Sequence, residues 1–92
     1  MSPAAREVTL TITNQAGLHA RACQLFVNLA GRFRADVFVR RDDVEVNGKS
    51  ILGVMMLAAE TGATIVVRAD GPDAEEALQA LTRLVEDKFG ED

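Results

Sequence analysis

A chain of 92 residues with 48% hydrophobic and 26% charged side chains has room for one core, which excludes a multidomain enzyme and a disordered segment. One cysteine, Cys23, and one histidine, His19, exclude an internal disulfide and argue against a structural metal centre, and no cofactor is called for. The net charge of −4 argues against nucleic acid or an anionic membrane as a partner.

The first residues lack the apolar run of a secretory leader, and no stretch approaches the ~18 apolar residues that span a bilayer, so a cytoplasmic, reducing location is expected. Residues 1–92 read as one domain with an ordered core from about 7 to 90, the first six and last three residues being frayed ends, and as a monomer. Charge is uneven along the chain: residues 1–41 carry six Arg against Glu7 and Asp36, whereas residues 42–92 carry four basic and twelve acidic side chains. An anion is therefore expected in the first half.

In chain order, Val8–Thr13 alternates apolar and polar side chains and is rich in β-branched residues, which predicts a half-buried strand ending at the turn Asn14–Gly17. Ala22, Leu25, Phe26, Leu29 and Ala30 recur at helical spacing over Ala20–Ala30, with Gly31 placed to take a left-handed position after them. Asp36–Arg40 and Val44–Asn47 read as strands joined by a short polar hairpin. A short helix is predicted over Ile51–Ala59 with Ser50 as its N-cap, then a strand over Ala63–Arg68. Asp70-Gly-Pro-Asp73 reads as the cap of a last helix whose apolar face runs from Ala74 to Phe89. The order β-α-β-β-α-β-α predicts an α+β fold, an open-faced two-layer sandwich in which three helices cover one face of a four-stranded antiparallel sheet.

His19 stands between a glycine-containing turn and the start of a helix, with Arg21 two residues on. Helix N-terminal N–H groups and a guanidinium favour an anion there, so a phosphoryl group on the imidazole is physically reasonable. Position alone leaves open the plainer reading of an exposed turn histidine beside a solvated arginine. Ser50 is either a cap and nothing more or a cap that also accepts phosphate. Ile51, Leu52, Met55 and Met56 lie on a helix too short to bury every face, so they either cap the core or form a docking patch. Cys23 is expected to pack as a small hydrophobe and Asn47 to serve the turn after its strand.

Gly17-Leu-His-Ala-Arg21 followed by Gly48-Lys-Ser-Ile-Leu-Gly-Val-Met-Met56 resembles the phosphocarrier protein HPr family of the bacterial phosphoenolpyruvate-dependent phosphotransferase system, over almost the whole chain. The resemblance implies a stoichiometric carrier rather than a turnover enzyme, with His19 phosphorylated on Nδ1 and Arg21 assisting the phosphoryl group. It further implies that Ser50 is the regulatory site of an HPr serine kinase/phosphorylase, and that Ile51, Leu52 and Met55 meet enzyme I, IIA-type permease or regulatory domains and the kinase. Where the family usually has proline after the arginine, this chain has Ala22, and its acidic last helix and Phe-Gly-Glu-Asp ending also resemble the nitrogen-branch relative. Two rivals fit less well: an acylphosphatase using Arg21 and Asn47 lacks a glycine-rich cradle, and a ferredoxin-like RNA-binding module would need aromatics on the open sheet face, where none is expected.

Overall fold

The computed structural model describes residues 5–91; the ends expected to fray at 1–4 and 92 lie outside them. The elements run β1 (Ala5–Thr11), α1 (Ala20–Ala30), β2 (Asp36–Arg41), β3 (Val44–Asn47), α2 (Ile51–Met56), β4 (Thr64–Asp70) and α3 (Ala74–Glu86), then one turn at Lys88–Gly90. The strands form one sheet in the spatial order β1-β4-β2-β3, and every neighbouring pair is antiparallel. This is the open-faced α+β sandwich that the element order predicts.

Register and the period-two alternation of side chains together decide which strand residues are buried. Val67 at the centre of β4 lies opposite Val8 on one side and Val39 on the other, Ile65 faces Leu10, and Ala69 faces Val37. Against this apolar layer α1 buries Ala22, Cys23, Phe26 and Ala30, and α3 buries Ala74, Ala77, Leu78, Leu81 and Val85. Fully buried side chains of the size of Phe26 and Leu81 contribute ~2 kcal/mol each by leaving water, so this layer carries the stability of the fold.

The opposite face is open but not free of aromatics, contrary to the sequence expectation. Phe38 of β2 lies on it, in register with Arg68 of β4, whose guanidinium sits 4.2 Å above the ring and reaches Glu45 at 3.2 Å. The arginine covers the ring by a cation–π contact, so the aromatic is shielded rather than presented.

Several boundaries differ from the sequence reading, each for a tertiary reason. β1 runs Ala5–Thr11 rather than Val8–Thr13, and Ala5 and Arg6 are paired rather than frayed, because β4 extends to Asp70 and offers partners that far. α1 does not end in a left-handed glycine: Gly31 has φ −66°, and Arg32 and Phe33 donate to Leu29 and Ala30 in a tightened last turn that satisfies those carbonyls instead. α2 stops at Met56, not Ala59. Arg41 of β2 donates to the carbonyls of Leu57 at 3.1 Å and Ala58 at 2.8 Å, and Ala58 turns to φ +47°. Asp73 stands at the N-cap of α3 without making the cap bond; its carboxylate instead accepts from the N–H groups of Arg34 at 2.9 Å and Ala35 at 2.8 Å. Finally, Phe89 does join the core, but through three successive left-handed residues, Lys88, Phe89 and Gly90, rather than as a continuation of α3.

Candidate functional site

His19 precedes α1 in extended backbone, φ −74° and ψ 177°, and serves as its N-cap. The turn before it is fixed by Gly17, whose φ of +68° and close approach to the 59–60 backbone leave no room for a side chain. Leu18 N–H then bonds the carbonyl of Ala59 at 2.8 Å, which ties the histidine loop to the segment after α2.

The imidazole is held at both nitrogens. Nδ1 accepts from the backbone N–H of Arg21 at 3.2 Å, and Nε2 bonds the carboxylate of Glu91. A carboxylate only accepts, and a nitrogen that accepts from an N–H must carry a lone pair; the contacts therefore assign the proton to Nε2 and the lone pair to Nδ1. Glu91 is held below the ordinary carboxylate range, first by the bond from His19, then by Asn14, with the charges of His19 and Arg21 adding to both. The Arg21 guanidinium is exposed and hydrogen-bonds none of the described residues, so it is available to an anion at Nδ1.

Asn14 shares the Glu91 carboxylate with the ring; it is buried and donates through Nδ2 to both the Gly17 carbonyl at 2.7 Å and Glu91 Oε1 at 3.1 Å. Sequence reasoning read Asn14 as a turn residue and Glu91 as a frayed end, and gave neither a part in the site. Asn14 left a local signal, a polar residue inside the turn before the histidine. Glu91 left none, because it reaches the ring from 72 residues away.

Ser50 has the cap role read from sequence: its Oγ accepts from Gly53 N–H at 3.2 Å. The side chains on α2 divide. Leu52, Met55 and Met56 are exposed, Leu52 by 72% and Met56 by 75%, whereas Ile51 is half-buried against the core. Val44 at the start of β3 is also exposed, a residue the sequence reading did not place among the apolar surface groups. Arg41, which binds the carbonyls closing α2 and the carboxylate of Glu60 at 2.8 Å, fixes how this helix ends. Cys23 is buried, donates its thiol to the Leu18 carbonyl at 3.3 Å, and has its pKa raised by that burial, as expected of a packing residue. Asn47 Oδ1 accepts from Lys49 N–H at 2.8 Å, the turn role read for it. Among the described residues no helix is long and apolar enough to cross a membrane.

The family model of the PTS HPr component phosphorylation site matches residues 6–87. The chain is 48% identical over 83 residues to the phosphocarrier protein HPr of Neisseria meningitidis serogroup A, covering 90% of this chain and 93% of that protein. It is similar in structure to HPr-C-His from Thermoanaerobacter tengcongensis, with a TM-score of 0.92 and 46% identity over 95% of this chain and 98% of the other. An HPr dimer from the same organism matches with a TM-score of 0.77 and 46% identity over 94% and 99% of the two chains. A sheet of the same shape, a motif match across most of the sequence and near-half identity to a curated relative together make this chain a member of the HPr phosphocarrier family of the phosphotransferase system.

Proposed function

We propose that the chain carries a phosphoryl group on Nδ1 of His19, taking it from the phosphohistidine of enzyme I and passing it to a histidine of a IIA-type permease or regulatory domain. The observation that carries this reading is the Arg21 N–H donating to Nδ1 at the N-terminus of α1, which assigns the lone pair there, beside the exposed guanidinium of Arg21. Attack on phosphorus consumes that lone pair, and the Arg21 N–H then turns to a phosphoryl oxygen, so one donor serves both states. Arg21 supplies the mobile charge and the helix end the fixed partial charge. The chain is a stoichiometric carrier, consistent with an open, exposed site that a partner must complete.

Ser50 is read as a regulatory phosphosite for an HPr serine kinase/phosphorylase. A dianion at the head of α2, beside Leu52 and Met55, penalises docking of an apolar partner face by desolvation and charge. Leu52 and Met55, with Ile51 beneath them, form the docking patch. The carrier is read as a monomer; a dimer, as solved for the relative from T. tengcongensis, is the alternative that sedimentation distinguishes. A regulatory role in the nitrogen branch, by phosphorylation-dependent binding, draws on the acidic last helix.

The test is incubation with phosphoenolpyruvate and enzyme I, followed by intact mass and acid treatment, on the natural chain and on His19→Ala. An acid-labile gain of one phosphate in the natural chain, absent from the variant, is the expected result. No gain in the natural chain removes the carrier reading.

A further inference from the structure

The contact between His19 and Glu91 joins two parts of the chain that no local pattern connects, and the backbone is bent to make it. Lys88, Phe89 and Gly90 take φ of 55°, 57° and 75°, turning the chain back on itself after α3. Phe89 is driven into the core at 2% exposure and anchors the turn. Glu91 then lies with its side chain mostly covered, one carboxylate oxygen on Asn14 Nδ2 and the other on His19 Nε2. Non-glycine residues held left-handed in succession persist where the surroundings over-determine them, and here the surroundings are a buried phenylalanine and a doubly bonded carboxylate. The family match ends at residue 87, short of this segment.

We infer that Glu91 is a positioning residue for phosphoryl transfer: its carboxylate keeps the proton on Nε2 of His19 while Nδ1 gains and gives up the phosphoryl group. The inference rests on the carrier reading above. In the forward step the Nδ1 lone pair forms the new P–N bond, and the P–N bond to the donor's histidine breaks, its electron pair returning to the donor nitrogen. The Nε2 proton does not leave, so the His19 ring becomes cationic, and the carboxylate facing that proton offsets the charge as it develops. In the onward step the ring leaves phosphorus as neutral imidazole. If Nε2 had lost its proton, the leaving group would be an imidazolate, a far poorer one. Glu91 therefore keeps the phosphorylated ring ready for transfer over a wider range of pH.

Among the described residues, the other ionisable groups near the ring do not substitute for it. Arg21 brings a positive charge, which opposes protonation; Glu60, behind Gly17, is engaged by Arg41; the Cys23 thiol is buried on the Leu18 carbonyl.

The experiment compares the natural chain with Glu91→Gln, which keeps the shape and removes the charge. Both are phosphorylated from phosphoenolpyruvate through enzyme I, and the Nε2 proton of phospho-His19 is titrated by nitrogen-15 NMR alongside the pH profile of phosphoryl return to enzyme I. The expected result is that Nε2 loses its proton about one pH unit lower in the variant, the tenfold effect of one charge-assisted bond, with the alkaline limb of transfer moving by the same amount. An unchanged midpoint in a variant that still takes up phosphate overturns the role of Glu91 and leaves the carrier reading standing. A natural chain that takes up no phosphate overturns both.

Discussion

Gly17 shows how much of the site depends on one residue's lack of a side chain. Its φ of +68° lies where only glycine is unstrained, and a Cβ there would stand 2.7 Å from the Ala59 carbonyl oxygen. Gly17→Ala is expected to cost ~1–3 kcal/mol in urea unfolding and to displace the loop that orients His19, lowering the rate of phosphate uptake as well. The glycine was legible in the sequence as a turn residue, and His19 and Arg21 stood out by type and spacing. What was not legible is that the histidine ring is held from both sides. The Nδ1 contact is local, from Arg21 N–H, and follows once His19 is recognised as the N-cap. The Nε2 contact depends on where the chain returns after α3, and no periodicity encodes that.

Among the elements, α2 carries the most function on the least structure. It has six residues, a serine cap and three exposed side chains of large apolar type, Leu52, Met55 and Met56, so its stability depends on its ends. Ser50→Ala removes the bond to Gly53 N–H and is expected to cost ~1 kcal/mol. Ser50→Asp keeps a capping oxygen and adds charge, so it is expected to hold thermal stability near that of the natural chain while weakening enzyme I association. If both variants lose association equally, the effect belongs to the cap and not to the charge. The sequence marked the start of this helix through Ser50 and missed its end by three residues, at Met56 instead of Ala59, since the end is set by Arg41 reaching over from β2. α3 was clearer because its apolar periodicity runs over several turns, whereas β1, too short for its alternation to fix its ends, began three residues earlier than predicted.

For the whole molecule, charge that is segregated along the sequence is mixed in space. Arg40 and Arg41 belong to the basic half, yet β2 pairs with β3, which sets Arg40 opposite Glu45, and Arg41 binds Glu60. Of the carboxylates that gain partners by folding, three have their pKa lowered. Glu60 is lowered below 4.5 first by its own backbone N–H and then by Arg41, Glu91 below 4.5 first by His19, and Asp73 below 3.8 first by the N–H of Arg34. Each folded pKa lies below its unfolded value, so each contribution is complete above the unfolded value and is lost as the pH falls through the folded one. Stability is therefore expected to be flat with respect to these groups above about pH 5 and to fall below about pH 4. Asp73→Asn is expected to be less stable at neutral pH and to show a shallower acid limb, measured by chemical unfolding at a series of pH values.

By itself the sequence determined the number, type and order of the elements, the apolar layer between helices and sheet, and the histidine–arginine pair at the head of α1. These are properties of neighbours in the chain, fixed by side-chain period, by capping chemistry and by which residues tolerate which backbone angles. Only the tertiary structure decided the rest: that β1 starts at Ala5, that Asp73 ties α3 to the loop before β2, that Arg68 covers Phe38, and that Glu91 meets His19. Each of those contacts joins residues far apart in sequence, and its geometry follows from the packing of the whole sheet and from the left-handed turn at Lys88–Gly90, which Phe89 anchors in the core.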